Sequence, residues 1–137
     1  MLRYKIEKIL KEKKLSLTKS RKKVLKFFIK SSKPLSLNQI RLFVGKMDRV
    51  TLFRVLNIFE SKQIVHKIRL ENGKTLYALC KEECEGDNHN HNHIHFQCEN
   101  CNDVSCLTIE NFPVLKIPNY TLNNIDINVT GLCINCN

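Results

Sequence analysis

A chain of 137 residues, 42% hydrophobic and 26% charged, has room for one ordinary domain or two small ones. It shows no apolar run near transmembrane length and no signal-peptide core, and its seven cysteines, an odd number mostly at metal-ligand spacing, read against a disulfide framework and for a reducing cytoplasm. The net charge of +10 is unevenly spread: residues 1–80 carry 21 Lys+Arg against 5 Asp+Glu (+16), residues 81–137 carry 2 against 8 (−6), so the first part is the one suited to a polyanion such as nucleic acid.

Leu2, Ile6, Ile9 and Leu10 fall at helical spacing and predict a first helix. A second is expected from about Thr18 to Ile29, with Val24, Leu25, Phe28 and Ile29 as its apolar stripe, broken by Ser-Ser-Lys-Pro at 31–34. Ser36 followed by Gln39 is a capping box that opens a short third helix, with Ile40, Phe43 and Val44 inward and Gly45 as its stop. Asp48 is placed to cap a fourth helix, which runs to about Ser61 and turns Leu52, Val55, Leu56 and Phe59 inward. A short helix, a tight turn and a second helix make a helix-turn-helix. The outer face of the fourth helix carries Val50, Phe53, Arg54 and Asn57, with Arg49 at its edge. Such groups suit a major groove, where guanine, adenine and thymine methyls are read.

Residues 64–70 alternate as a strand, Glu71-Asn72-Gly73 is expected to form a tight turn in which Asn-Gly supplies the positive φ, and 74–79 return as a second strand. A hairpin behind a recognition helix is a wing, from which Lys67, Arg69 and Lys74 could reach flanking phosphates. Residues 1–80 thus read as a winged-helix DNA-binding domain. Residues 81–92, acidic and then Asn/His-rich, read as a hinge. Residues 93–137 offer strands at 93–97, 103–109 and 124–130, too few residues for a confident core of their own. The fold class is α+β: an N-terminal winged helix-turn-helix followed by a small zinc-stapled α/β dimerisation domain.

That staple is read from two C-x-x-C pairs, Cys98/Cys101 and Cys133/Cys136. Four thiolates in two close pairs can surround one tetrahedral zinc, which pins a fragment too small to hold itself by burial. The rival meaning of C-x-x-C, thiol-disulfide exchange, wants one pair opening a helix in a βαβ unit, and neither pair has that setting.

The remaining soft ligands form a second constellation. His89, His91, His93 and His95 occur at every second position, so on a strand His93 and His95 face one side. Cys80 ends the wing, His66 lies on its first strand, and Cys106 follows the first C-x-x-C by five residues. A metal held by such residues would join the two halves, and a mixed thiolate and imidazole set favours zinc over Fe(II) or Mn(II). Each has a plainer reading: Cys80 and Cys106 as small buried hydrophobes, His66 as an exposed strand residue, His89 and His91 as a nonspecific metal-binding tract. Cys84 has no assigned role. An enzyme is disfavoured, since no paired-carboxylate, Ser/His/Asp or zinc-deaminase pattern occurs.

Taken together, L-T-K-S-R at 17–21, D-R-V-T-L-F-R-V-L-N at 48–57, Q-I-V-H-K at 63–67, H-I-H-F-Q-C-E-N-C at 93–101 and G-L-C-I-N-C at 131–136 resemble the ferric-uptake-regulator family of metal-dependent repressors. The resemblance implies a homodimer with winged-helix arms, a palindromic operator in double-stranded DNA, a structural zinc on cysteines and a sensory metal at the hinge. H-K-I at 66–68 and Y-A-L-C at 77–80 look like the zinc-uptake-regulator branch, which carries His66 and Cys80 over as sensory ligands, with His93 or His95 from the H-x-H and Cys106 where relatives offer a carboxylate. Two Zn2+ sites per chain are then expected, with no membrane or small-molecule substrate as partner. Three departures stand out: Lys33-Pro34 where the iron- and peroxide-sensing branches use a His, Phe53 where the recognition helix has Tyr, and a short Ile109–Tyr120 stretch, with Pro113 and Pro118, where a helix is usual. The alternatives are an iron- or peroxide-responsive member, or a zinc-ribbon DNA-binding adaptor without sensing.

Overall fold

The computed structural model describes residues 1–31, 33–80, 93–108, 115–122, 125 and 127–137. The hinge at 81–92, with Cys84, His89 and His91, lies outside the described residues, as do 109–114 with Pro113. Two compact units emerge, Met1–Cys84 and Glu85–Asn137. Among the described residues no helix is long and apolar enough to cross a membrane.

In the first unit, α1 (Leu2–Glu12) buries Ile6 and Leu10, and α2 (Lys19–Lys30) buries Val24, Leu25 and Phe28. Thr18 caps α2 by accepting from the Arg21 amide. The next elements are a two-residue strand β1 (Leu35–Ser36), then α3 (Leu37–Val44) and α4 (Arg49–Ser61). The Ser36/Gln39 capping box forms as expected, and the Lys23 ammonium donates to the Val44 carbonyl at the other end of α3, 3.0 Å away. Asp48 sits at the N-cap of α4 with extended backbone, but its carboxylate makes no capping hydrogen bond. Leu52, Val55, Leu56 and Phe59 of α4 complete a core shared with α1, α2 and α3.

Phe43 departs from expectation. It is 36% exposed and stacks face to face on Phe27, ring centroids 4.2 Å apart. Ile40 and Val44, one turn apart, fill the inward face of α3, which leaves Phe43 at the rim, where α2 offers a ring.

Two helix ends share one device. At the end of α4 the Ile64 amide donates to Phe59 O (2.8 Å) and the Gln63 amide to Glu60 O (3.0 Å), with Gln63 at φ 61. At the end of α1 the Leu15 amide donates to Leu10 O (2.9 Å) and the Lys14 amide to Lys11 O (3.0 Å), with Lys14 at φ 58. Both are Schellman ends whose left-handed position, usually glycine, carries a long side chain.

Strands β2 (Val65–Arg69) and β3 (Thr75–Leu79) form the wing, in a sheet of order β1-β3-β2. The tight turn falls at Glu71-Asn72-Gly73, as expected. Gly73 takes φ 83, its amide donates to Leu70 O, and the Leu70 amide donates to Lys74 O. This is a three-residue loop with a glycine bulge, in which the Asn72 side chain accepts from the Lys74 amide.

The second unit is a sheet of order β5-β4-β6. Strand β4 (His93–Cys98) pairs antiparallel with β5 (Val104–Thr108) and parallel with β6 (Asn128–Gly131). The third strand is thus shorter and later than the 124–130 alternation predicts; Ile127 still contributes its carbonyl to the His95 amide, but 124 and 126 lie outside the described residues. Residues 115–122 hold neither helix nor strand.

Candidate metal centre and nucleic-acid interface

Each C-x-x-C folds as a tight knuckle. In the first, the Cys98 amide donates to Asp103 O and the Asn102 amide to Cys98 O, with Asn102 at φ 60. In the second, the amides of Cys136 and Asn137 both donate to Cys133 O. The β4/β6 register brings the two together: Cys98 lies opposite Gly131, and the Glu99 amide donates to Gly131 O at 2.8 Å. The four sulfurs lie within 4.8 Å of one another, and Cys101 Sγ is 3.8 Å from Cys133 Sγ. A tetrahedral zinc with bonds of about 2.3 Å sets its sulfurs about 3.8 Å apart. The donor set therefore fits zinc in both chemistry and spacing.

The electrostatics of the cluster point the same way. The Cys101 amide, then that of Cys133, pull the buried Cys98 thiol from 9.0 down to about 6. The Asp103 amide pulls on Cys101 too, but the neighbouring Cys98 sulfur, burial, and Cys133 and Cys136 together push that thiol up to about 12. The Asn100 amide group lowers Cys136, yet Cys133, burial and Cys98 raise it on balance. Cys98 is poised as a thiolate beside two sulfurs, those of Cys101 and Cys136, that resist becoming one, a pattern a central dication resolves.

The second constellation is described as two pairs, one in each unit. On the wing, His66 Nδ1 lies 3.3 Å from Cys80 Sγ, and the Cys80 amide is anchored to Ile64 O at 2.8 Å, just past the end of α4. In the second unit His95, which is 8% exposed, stands directly across from the half-buried Cys106 in the β4/β5 register. Directly opposed residues carry side chains on one face at short range. The same register sets His93 against Thr108, so Cys106 is paired with His95, a choice that spacing alone leaves open. Because β4 alternates faces, His95 and Cys98 serve opposite sides of one strand.

On α4, Arg49, Val50, Phe53, Arg54 and Asn57 are all exposed, the face expected for base contacts. On the wing Arg69 and Lys74 are exposed. Lys67 is held otherwise: its ammonium lies 3.1 Å from the Glu60 carboxylate of α4 and 6.0 Å from the centre of the Tyr77 ring. Glu60 carries no helical or strand periodicity that marks it, and neither does Asn100, whose side-chain nitrogen lies 3.3 Å from Cys136 Sγ. Long-range partners of this kind leave no spacing to read.

The chain matches the model of the ferric uptake regulator family over residues 12–134. It is 32% identical over 138 residues to a ferric uptake regulation protein of Staphylococcus epidermidis, covering 94% of this chain and 92% of that protein. Among solved structures it resembles a zinc uptake regulator complexed with zinc and DNA, with TM-score 0.69 and 23% identity over 97% of this chain and 91% of that one. The ferric uptake regulator of Vibrio cholerae gives TM-score 0.59 and 22% identity over 92% and 98% of the two chains. At such identities the structural likeness is one of fold.

Proposed function

The chain belongs to the ferric uptake regulator family of metal-responsive transcription regulators, and we propose that it is a zinc-responsive repressor that binds palindromic operator DNA as a homodimer. Residues 1–80 serve as the DNA-binding domain, 81–92 as the hinge and 93–137 as the dimerising domain. Cys98, Cys101, Cys133 and Cys136 hold a structural zinc. His66 and Cys80 from the wing, with His95 and Cys106 from the sheet, hold a second, sensory one. Bound zinc supplies a Lewis-acidic crosslink among these ligands. The residues do the rest: by ligating from both domains they favour the conformer whose two α4 helices fit successive major grooves, about 34 Å apart. The response is a population shift, limited by how much better the ligands close in that conformer than in others. On the duplex, Arg49, Arg54 and Asn57 donate to base edges, Val50 and Phe53 meet thymine methyls, and Arg69 and Lys74 neutralise phosphates. Lys67 is assigned to bracing the wing against Glu60 ahead of any phosphate.

The observation that carries zinc is the 3.3 Å approach of an imidazole nitrogen to a thiol on the wing, since thiolate ligands select zinc over Fe(II) and Mn(II). An iron-responsive regulator is the second reading, favoured by the curated relatives named for ferric uptake. Metal analysis of wild type, Cys80→Ser and Cys106→Ser, purified from cells grown in balanced metals, separates them. Operator affinity is read on the same samples, with a duplex selected by wild type from a random pool. Expected are two zincs per wild-type chain, one in each variant, and operator binding weakened at least about tenfold, a loss of about 1.4 kcal/mol. Iron in the wild type, or unchanged affinity in the variants, rejects the zinc reading. One zinc with metal-independent affinity supports the non-sensing adaptor.

A further inference from the structure

We infer that Asn100 is a positioning residue of the four-cysteine site, donating a hydrogen bond that holds Cys136 as a thiolate ligand. The inference rests on the reading that these cysteines bind zinc. Asn100 sits between the two cysteines of the first knuckle, and its Nδ2 lies 3.3 Å from the Sγ of Cys136, 36 residues along the chain. A zinc-bound thiolate can only accept, and of the two ends of a carboxamide only the nitrogen donates, so the observed orientation is the one a negative sulfur stabilises. A second hydrogen bond crosses the other way, from the Cys133 amide to Cys98 Sγ at 3.4 Å. The knuckles are thus laced reciprocally: the backbone of the second serves a sulfur of the first, and a side chain of the first serves a sulfur of the second.

The asymmetry of the site shows why Cys136 needs the help. Cys98 ends a strand, is fully buried, pairs with Gly131 of β6, and donates its amide to Asp103 O. Cys136 lies in a short turn whose neighbour Ile134 is 96% exposed, so little packing holds it in place. A donor to its sulfur spreads the negative charge of a tetrathiolate site and lowers the sulfur's nucleophilicity toward electrophiles and competing chelators. Groups in this outer role are worth about 10- to 100-fold in metal affinity.

The test uses the full-length, zinc-loaded protein and the variants Asn100→Ala and Asn100→Asp. The second keeps the shape and replaces the donor with a negative oxygen. Alkylation by N-ethylmaleimide is followed cysteine by cysteine by peptide mass spectrometry, and zinc release into a colorimetric chelator is timed in parallel. The expected result is Cys136 alkylated about tenfold faster in Asn100→Ala and faster again in Asn100→Asp, ahead of Cys98, with zinc release accelerated in the same order. Equal rates in all three proteins overturn the inference. So does a uniform rise at all four cysteines, which is what general loosening of the knuckles would give. Wild type that carries no zinc and alkylates rapidly at all four positions overturns the underlying metal assignment instead.

Discussion

In the first unit Leu10, Leu25, Ile40, Leu52, Leu56 and Phe59 close on one another with 1% exposure or less. In the second, Cys98 and Val104 are the buried apolar side chains among the described residues, while Leu107, Leu115, Ile117, Leu122, Leu132 and Ile134 stand exposed. The two units therefore reach stability by different routes. Full burial of one large apolar side chain contributes about 1.5–3 kcal/mol, and the first unit collects that many times over. The second has almost none of it among the described residues, and a unit so built needs other support, such as a metal clasp or association. On the proposed function that division separates two tasks: the fold of the first unit rests on its own core, and the stabilising metal is confined to the second.

Removing the metal should break the two units apart in behaviour, and this is the largest effect expected. A structural zinc contributes an apparent ~10–16 kcal/mol at neutral pH, comparable with the ~5–15 kcal/mol net stability of a whole domain. After treatment with a strong chelator, hydrogen exchange of β4, β5 and β6 should rise steeply, while α1–α4 stay protected. Unchanged protection in β4 would mean the second unit has a core of its own and the contrast fails.

Acidity sharpens the same contrast on a smaller scale. The folded Cys98 value, about 6, lies below the ordinary 9.0, so its contribution is complete above pH 9 and is lost as pH falls through 6. Cys101 works in the opposite sense: its folded value of about 12 lies above the ordinary one, so its contribution is complete below pH 9 and is lost as pH rises toward 12. Residual protection of β4 in the zinc-free protein should therefore peak near pH 9 and fall on both sides. The first unit, whose core holds no such thiols, should stay flat from pH 6 to 9. A β4 profile equally flat would show that the knuckles are not preformed without metal.

How much of this was legible in the sequence follows the range of the interaction concerned. The four helices of the first unit were readable because their buried faces repeat every three or four residues, and the Ser36/Gln39 box because both partners lie within one turn. The cysteine knuckles were readable because each pair is three residues apart. The two-residue β1 was missed because its only signature is its pairing with Tyr77 and Leu76 across the fold. The choice of His95 as the partner of Cys106 needed the strand register, and Asn100 and Glu60 needed partners 36 and 7 residues away. The turn at 71–73 was readable because Asn-Gly marks it locally, and the Leu70 amide bond to Lys74 O bears out its three-residue length.

The smallest expected effect lies inside the first unit. Gln63 ends α4 at φ 61, exposed to solvent, and holds the position where a Schellman end favours glycine. A Cβ in that conformation costs about 1–2 kcal/mol. Glycine removes this strain but loses more backbone freedom on folding, which gives back part of the gain. Gln63→Gly should thus stabilise the first unit by about 0.5–1 kcal/mol, raising its thermal midpoint by about 3–6 °C. The second unit's response to chelator should not move. Gln63→Ala is the control, since it removes the same exposed side chain but keeps the Cβ, and it should leave the midpoint within about 0.5 kcal/mol of wild type. A gain shared by both variants would trace the effect to the side chain and not the backbone. The site matters beyond stability because Ile64, the next residue, both closes α4 through Phe59 O and accepts from the amide of Cys80. If the left-handed turn at 63 is the joint between α4 and the His66/Cys80 pair, the glycine variant should match wild type in any metal binding on the wing, since only strain, and no hydrogen bond, has been removed.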